Sequence, residues 1–444
     1  MDTRSFLRSS KDAIIIFAII ASPSERRRVK RHHTLAGWGL FCTVALIWLT
    51  AIRLSAQDFK TELNFNFSTG GIPMHSTLIQ GTDGKLYGTA WEGGECTPGC
   101  GAVFKLTSQG KVTVLHKFHG IADGAEPEGG LVQGRDKNFY GTTSTGLENV
   151  FGTVFKMDAV GKLTIIHSFS DSDGAYPFGS LVQARDGNFY GTTYEGGTKY
   201  YGTVFRITPK GKLTTLYKFC QNGGTCIDGA MPMAGLLLAA DGNFYGTTFH
   251  GGSDACSDSP GCGTIFRITR LGKLTTIYTF CSQTGCTDGY SPQGSLIQDK
   301  NGNLYGTTQT GGTGTCVTFG GGCGTLFKIS PSGKLTTLYN FGGSDGAFPT
   351  GELLESGGSF YGVTWAGGSN TCSIGCGTVF VMTGQGRLTT VHRFKGRDGI
   401  SPLGGLLRAK NGRFYGTTSD GVTGGRCDPD YKGCGTVFSF LGKN

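Results

Sequence analysis

Short apolar runs rich in Val, Thr, Phe and Tyr, each bounded by Gly, Pro or Asp, follow one another down most of the chain. That pattern predicts short β-strands joined by tight turns. Around Tyr190 the order is Ser180-Leu181-Val182-Gln183, a turn at Asp186-Gly187, then Asn188-Phe189-Tyr190-Gly191-Thr192-Thr193 and a Gly-rich loop. Next come Gly202-Thr203-Val204-Phe205-Arg206-Ile207, the turn Pro209-Lys210-Gly211, and Leu213-Thr214-Thr215-Leu216-Tyr217-Lys218-Phe219. These four runs are labelled a, b, c and d. The Tyr-Gly pair of run b recurs at Tyr87, Tyr140, Tyr190, Tyr245, Tyr305, Tyr361 and Tyr415, in steps of 50 to 60 residues. A period of about 50 predicts a solenoid or a propeller.

Run c recurs with each Tyr-Gly, as Val103-Phe104, Val154-Phe155, Ile265-Phe266, Leu326-Phe327, Val379-Phe380 and Val437-Phe438 in the other six copies. Run d follows every c except the last. Its missing copy is Leu63-Asn64-Phe65-Asn66-Phe67, ahead of the first a, whose aromatic spacing matches Leu338-Tyr339-Asn340-Phe341. This permuted count predicts an all-β, seven-bladed propeller of four-stranded antiparallel blades, closed by an N-terminal strand that completes the last blade. An open solenoid would need polar capping repeats instead. Neighbouring apolar residues such as Phe189 and Tyr190 fit blades covered on both faces. The Gly after each Tyr is expected to let an aromatic lie against bare backbone.

Composition changes the picture at the N-terminus. The 444 residues include 78 Gly, 30 Phe and 16 Tyr, which excludes collagen and disorder. Of the formal charge of +9, residues 1–56 hold nine Lys/Arg against three Asp/Glu, leaving +3 for residues 57–444. A repeat body so nearly neutral offers no stripe for phosphates, and no nucleic-acid partner is expected. Residues 1–56 read as an N-terminal extension with a signal peptide or membrane anchor, and 57–444 as the propeller domain. The basic Arg26–Arg31 precedes an apolar run from Leu35 to Ile52 and a small-residue site at Ser55-Ala56. The run is also long enough to stay as an anchor. The chain from Val29 onward already has the whole signal layout, so residues 1–28 are expected to lie upstream of the true start. A secreted or periplasmic location follows, with membrane contact only through this segment if it is uncleaved.

Cysteine usage points the same way. Cys42 lies in the apolar run, and the other fourteen form sequence-local pairs: Cys96-Cys100, Cys220-Cys226, Cys256-Cys262, Cys281-Cys286, Cys316-Cys323, Cys372-Cys376 and Cys427-Cys434. Close pairs in an exported chain predict disulfides. Zinc is the alternative for a short Cys-x-x-x-Cys, but it takes four ligands and each pair falls in a different repeat.

Antiparallel strands put the a-to-b and c-to-d turns on one face, and the b-to-c and d-to-a loops on the other. The first face is monotonous Asp-Gly and Asn-Gly turn chemistry. The second carries all fourteen paired cysteines, with Phe151 and Tyr201 standing where a half-cystine precedes the c-strand Gly in other blades. Just after Tyr-Gly-x-Thr the blades vary: Trp91, Ser144, Tyr194, Phe249, Gln309, Trp365 and Ser419, followed by Glu92, Thr145, Glu195, His250, Thr310, Ala366 and Asp420. Variable positions on a rigid scaffold are where binding usually lies. Trp91, Glu92, Tyr194, Glu195, Phe249, His250, Gln309, Trp365 and Asp420 are therefore the expected ligand-binding set, ringing the axial mouth; the competing reading is loop packing.

Catalytic motifs are missing. His116, His167 and His392 occupy the d-strand slot of Tyr217, Tyr278 and Tyr339, as repeat variants. Asp171-Ser172-Asp173-Gly174 opens like a calcium loop but lacks its terminal Glu. There is no P-loop or dinucleotide fingerprint, so no cofactor, metal or catalytic residue is expected. His250 with Asp254, Glu195 and Asp420 is the one acid–base set on the favoured face, and it would serve an extracellular carbohydrate-active hydrolase or lyase.

The block Gly-Asn-Phe-Tyr-Gly-Thr-Thr (187–193), the Gly-Gly loop, Gly-Thr-Val-Phe (202–205) and Gly-Lys-Leu-Thr-Thr-Leu-Tyr (211–217) resembles the GloVer (Gloeobacter/Verrucomicrobia-type) tandem repeat of exported bacterial proteins. The resemblance spans about residues 60–440. It implies an extracellular repeat protein, often surface-tethered, with no established activity. The C-terminal sorting segment common in that family is not seen after Phe438-Ser439-Phe440-Leu441, so tethering would fall to the N-terminal run. The expectation is a monomeric binding or scaffold propeller for carbohydrate or extracellular protein.

Overall fold

The computed structural model describes residues 58–93, 99–120, 123–146, 151–221, 226–256, 261–316, 321–421 and 434–442. The basic and apolar N-terminal runs lie outside the described residues, and among the described residues no helix is long and apolar enough to cross a membrane. The strands described below all belong to one compact unit, Ser55–Asn444.

Seven antiparallel sheets are formed among the described residues, one per Tyr-Gly element, numbered here as blades 1 to 7 from Tyr87 to Tyr415. Blade 3 is representative: Val182–Gln183 pairs with Phe189–Thr193, that with Thr203–Ile207, and that with Leu213–Lys218. Strand a is short because its preceding segment leaves the sheet and rejoins it. In blade 3 the rejoining contact is a lone bridge, Ala175 to Glu195. In blade 6 both pieces are strands, Ala347–Pro349 and Leu354–Ser356, which makes a fifth strand in that sheet. The excursion between the two pieces lines the axis.

Closure is by the N-terminal strand Lys60–Asn64, paired with Thr436–Leu441 of blade 7. Its register differs from the sequence expectation by two residues. Leu63 faces Val437 as Tyr339 faces Leu326, and Phe65 takes the place of Phe341, while Phe67 falls in the following 3-10 turn. The aromatic pair Phe65/Phe67 matched Tyr339/Phe341 in spacing alone; a shift of two keeps the same face inward, so the pattern could not tell the two registers apart.

Two aromatic circuits hold neighbouring blades together. The Phe that follows each d strand packs on the c-strand Phe of the next blade, from Phe118–Phe155 at 5.4 Å through Phe394–Phe438 at 5.2 Å to Phe65–Phe104 at 4.9 Å. The Tyr of one b strand lies on the Phe of the next, as in Tyr87–Phe139 at 4.2 Å and Tyr190–Phe244 at 4.2 Å. This is why Phe and Tyr are adjacent in sequence: one faces the blade before, the other the blade after. The Gly after the Tyr is needed as expected, since a Cβ on Gly191 would come within 2.8 Å of Phe205 and 2.9 Å of Leu181. Tyr87, Tyr140, Tyr190, Tyr245 and Tyr305 also close their own hairpins, for example Tyr190 Oη donating to Asp186 at 2.8 Å.

Candidate functional site

The b-to-c and d-to-a loops share one face, and every described disulfide lies on it. Cys256–Cys262, Cys316–Cys323 and Cys372–Cys376 close b-to-c loops, and Cys220–Cys226 and Cys281–Cys286 close d-to-a loops. Cys100 and Cys434 are disulfide-bonded as well; Cys96 and Cys427, their expected partners, lie outside the described residues. Such bonds persist in oxidising compartments.

A second feature of this face was not visible in the sequence. The residue ahead of proline at the start of each excursion has positive φ in blades 2 to 7: Glu126 (60°), Tyr176 (54°), Met231 (55°), Ser291 (55°), Phe348 (56°) and Ser401 (56°). None is glycine, so each is strained, at a cost of about 1–3 kcal/mol. Each is fixed from both sides. Its N–H donates to the carbonyl of Cys100, Phe151, Tyr201, Cys262, Cys323 or Cys376 in the preceding blade, at 2.8–3.0 Å. Its carbonyl accepts from the N–H of Ser144, Tyr194, Phe249, Gln309 or Ser419 in blades 2, 3, 4, 5 and 7. Phe151 and Tyr201 therefore occupy the same backbone post as the half-cystines. The variable positions after strand b are held to the same strained residues.

Past the proline, the excursion reaches the axis. A cavity of about 60 Å³ is lined by residues of all seven blades, among them His75, Phe178, Met233, Gln293, Thr350 and Leu403. His75 Nδ1 lies 3.1 Å from Oε2 of Glu128 at the same Pro-x-Gly position of blade 2. Behind this ring the backbone of consecutive blades nearly touches. A Cβ on Gly179 would sit 2.7 Å from the Ala234 carbonyl oxygen, and one on Gly404 2.5 Å from that of Ser76. Threonines of strand b stitch the ring across blades: Thr192 to the Ala234 carbonyl and Thr417 to that of Ser76. Blade 6 has Val363 in that slot, and Thr350 donates to the Leu403 carbonyl instead.

One position in this layer breaks the repeat. Gly130, Ser180, Gly235, Ser295 and Gly405 precede the inward Leu in five blades, but in blade 6 the residue is Glu352. Its side chain meets solvent while standing within the axial lining, the situation of a carboxylate in a narrow, wet channel. The protein walls around the channel push its carboxyl up to about 7, an effect its contact with solvent weakens, and among the described residues no charged neighbour or hydrogen bond opposes it. Comparison of the copies at Gly-x-Leu would have exposed it; attention to the loop after Tyr-Gly missed it.

The expected ring residues are only partly brought together. Tyr194 packs on Phe178 at 5.1 Å, and Phe178 continues to Tyr176 at 6.5 Å and Phe151 at 6.4 Å beyond, so aromatic surface runs from the loop rim to the axis. Trp365 packs on Phe348 at 5.9 Å. Trp91 is half-buried beside Glu126, whose carboxyl is raised by burial and by Glu128 against several hydrogen bonds. Glu92 is buried at 4% exposure. Phe249 stacks edge-on with His250 at 4.6 Å, and His250 Nδ1 is 3.3 Å from the Gly261 carbonyl. Gln309 is half-buried.

Glu195 is raised by burial and by Asp171 of its own blade, and Asp420 by burial against a bond from Ser419. His250 stays on Phe249 and Gly261. The d-strand histidines act as expected of repeat variants: His116, His167 and His392 bond Asp123, Asp173 and Asp398 at 2.7, 3.0 and 2.7 Å, where Tyr217 and Tyr278 bond Asp228 and Asp288. Asp173 thereby serves the d-to-a loop.

A family model described as the Gloeobacter/Verrucomicrobia repeat matches residues 49–259 and 255–443. No match is found among curated proteins. Solved structures with a similar fold include a putative oxidoreductase (glucose dehydrogenase) of Thermus thermophilus, 15% identical over 85% of this chain and 99% of that one, with a TM-score of 0.41. Another is a gluconolactonase of Xanthomonas campestris, 14% identical over 70% of this chain and 95% of that one, with a TM-score of 0.40.

Proposed function

For a chain that belongs to the Gloeobacter/Verrucomicrobia repeat family, we propose the role of an exported binding propeller that engages carbohydrate or extracellular protein at the axial mouth of its disulfide-braced face. The observation that carries this reading is the aromatic path Phe151–Tyr176–Phe178–Tyr194, which leads from the rim to the axial lining on positions that differ from blade to blade. Aromatic faces stack on sugar rings and on apolar side chains alike, and a rigid backbone lowers the ordering cost of binding. The strained residues, the disulfides and the cross-blade bonds supply that rigidity. Export is supported by the disulfides, and the N-terminal run supplies a signal or an anchor.

A glycan array and a pull-down from culture medium test the reading, each repeated with Tyr194→Ala, Trp91→Ala and Trp365→Ala. Binding is expected to fall about tenfold or more in Tyr194→Ala. Binding unaffected by all three changes would put the site elsewhere.

Glu352 favours a second reading, a carbohydrate-active hydrolase or lyase. An acid poised near neutral pH in a channel suits proton transfer. Glycoside hydrolysis usually needs two carboxylates about 5–10 Å apart, and among the described residues no other acid contributes to the Glu352 shift, so binding is preferred. Polysaccharide turnover lost in Glu352→Gln with binding intact would reverse that preference.

A further inference from the structure

One residue stands out in the d-to-a loop of blade 1. In three blades a d-strand histidine meets the loop aspartate: His116 with Asp123, His167 with Asp173, and His392 with Asp398. The residue after the conserved Phe is Ser170 in the second of these and Lys395 in the third, but His119 in the first. His119 Nδ1 lies 3.3 Å from the same Oδ2 of Asp123 that His116 Nε2 meets at 2.7 Å. The blades thus provide their own control: the His–Asp pair is scaffold, and the second imidazole is an addition to it.

We infer that His116, His119 and Asp123 form a site for a divalent transition ion of the zinc class. The three donor atoms lie within 4.8 Å of one another. Zinc bonds of about 2.0–2.2 Å in a tetrahedron hold neighbouring ligand atoms roughly 3.3 Å apart, so the His119–Asp123 separation already fits. Asp123 need only draw back from His116 by roughly half an ångström. The rings stand at 78° with centroids 6.1 Å apart, so they do not stack on each other. The backbone N–H of His119 donates to the other oxygen of Asp123 at 2.7 Å, which orients the carboxylate as outer-shell bonds do at metal sites.

Two imidazole nitrogens and one carboxylate select zinc, copper, nickel or cobalt over calcium or magnesium, which prefer all-oxygen shells. Three protein ligands leave a fourth position open to water or to a donor from a bound molecule. Among the described residues, the other close group of donors, the sulfurs of Cys256, Cys281 and Cys286, is tied up in disulfides. The site's place in the fold agrees with a clip. The d-to-a loops of blades 3 and 4 are each closed by a disulfide, Cys220–Cys226 and Cys281–Cys286, and a metal here would close the corresponding loop of blade 1.

The test uses tag-free, chelator-treated protein titrated with zinc by calorimetry, beside His119→Ser and His392→Tyr. Serine is native at the equivalent place in blade 2 and tyrosine at that of His392 in blades 3 to 5, so both variants are expected to fold. Wild type and His392→Tyr should take up one zinc per chain, and His119→Ser should bind more than roughly 100-fold more weakly. Cobalt loading should give visible d–d bands in wild type and none in His119→Ser. Absence of stoichiometric uptake by wild type, uptake unchanged in His119→Ser, or a preference for calcium would each overturn the assignment.

Discussion

At Glu352 a single side chain departs from a layer that five other blades fill with Gly or Ser, and its environment does the rest. Its native carboxyl stands near 7 against an ordinary value of 4.5, so the folded chain keeps a proton that the unfolded chain releases. Below about pH 4.5 both states are protonated and nothing is lost; as pH rises from there to 7 stability falls, and above 7 the deficit is constant. The melting temperature of Glu352→Ser relative to wild type should therefore be higher at pH 8 than at pH 4, as read by thermal denaturation at the two pH values. Equal offsets at both would show that the carboxyl titrates normally. This residue was legible in principle, because it breaks a repeat. The strained Tyr176 and Phe348 were not, since a positive φ ahead of proline is contrary to what local sequence favours, and it takes a bond to the preceding blade to hold it.

In the hairpins, local chemistry and structure agree closely. The a-to-b turns end on glycines with positive φ, such as Gly84, Gly187 and Gly242, and around Gly187 a Cβ would meet nothing. Blade 2 places Lys137 there instead, at φ 66°, exposed to solvent. A left-handed non-glycine residue costs about 1–2 kcal/mol, and glycine gives back about 0.5–1 kcal/mol in unfolded-state entropy. Lys137→Gly should thus stabilise the protein by about 0.5–1 kcal/mol; a loss in chemical denaturation would mean that the lysine side chain contributes unseen support. The d-to-a loops show the opposite case. The slot shared by His116 and Tyr217 was readable as a repeat position, but the aspartate each one bonds lies 7 and 11 residues further on. Loop length varies between them, so no fixed spacing marks the pair.

Across the whole molecule, stability rests on seven repeated interfaces, and the last is made by the chain's other end. Phe65 is buried at 5% exposure, meets Phe104 of blade 1, and donates its backbone N–H to Gly435 of blade 7. It fills the role of Phe341 although it lies just past a five-residue strand near the start of the described chain. Phe65→Ala should cost about 3–5 kcal/mol, as for any core phenylalanine, and as much as Phe341→Ala. A loss under about 1 kcal/mol would indicate that blade 7 stands without its N-terminal strand. The blade count, the four runs and the two unlike faces followed from the sequence because turns and strands are set by neighbours within a few residues. The closing register, the strained posts and the convergence of Glu352 with Phe178 on one axis were decided by the ring. Their partners come from other blades, from about 25 residues away to the opposite end of the chain, and meet only when blades pack side by side.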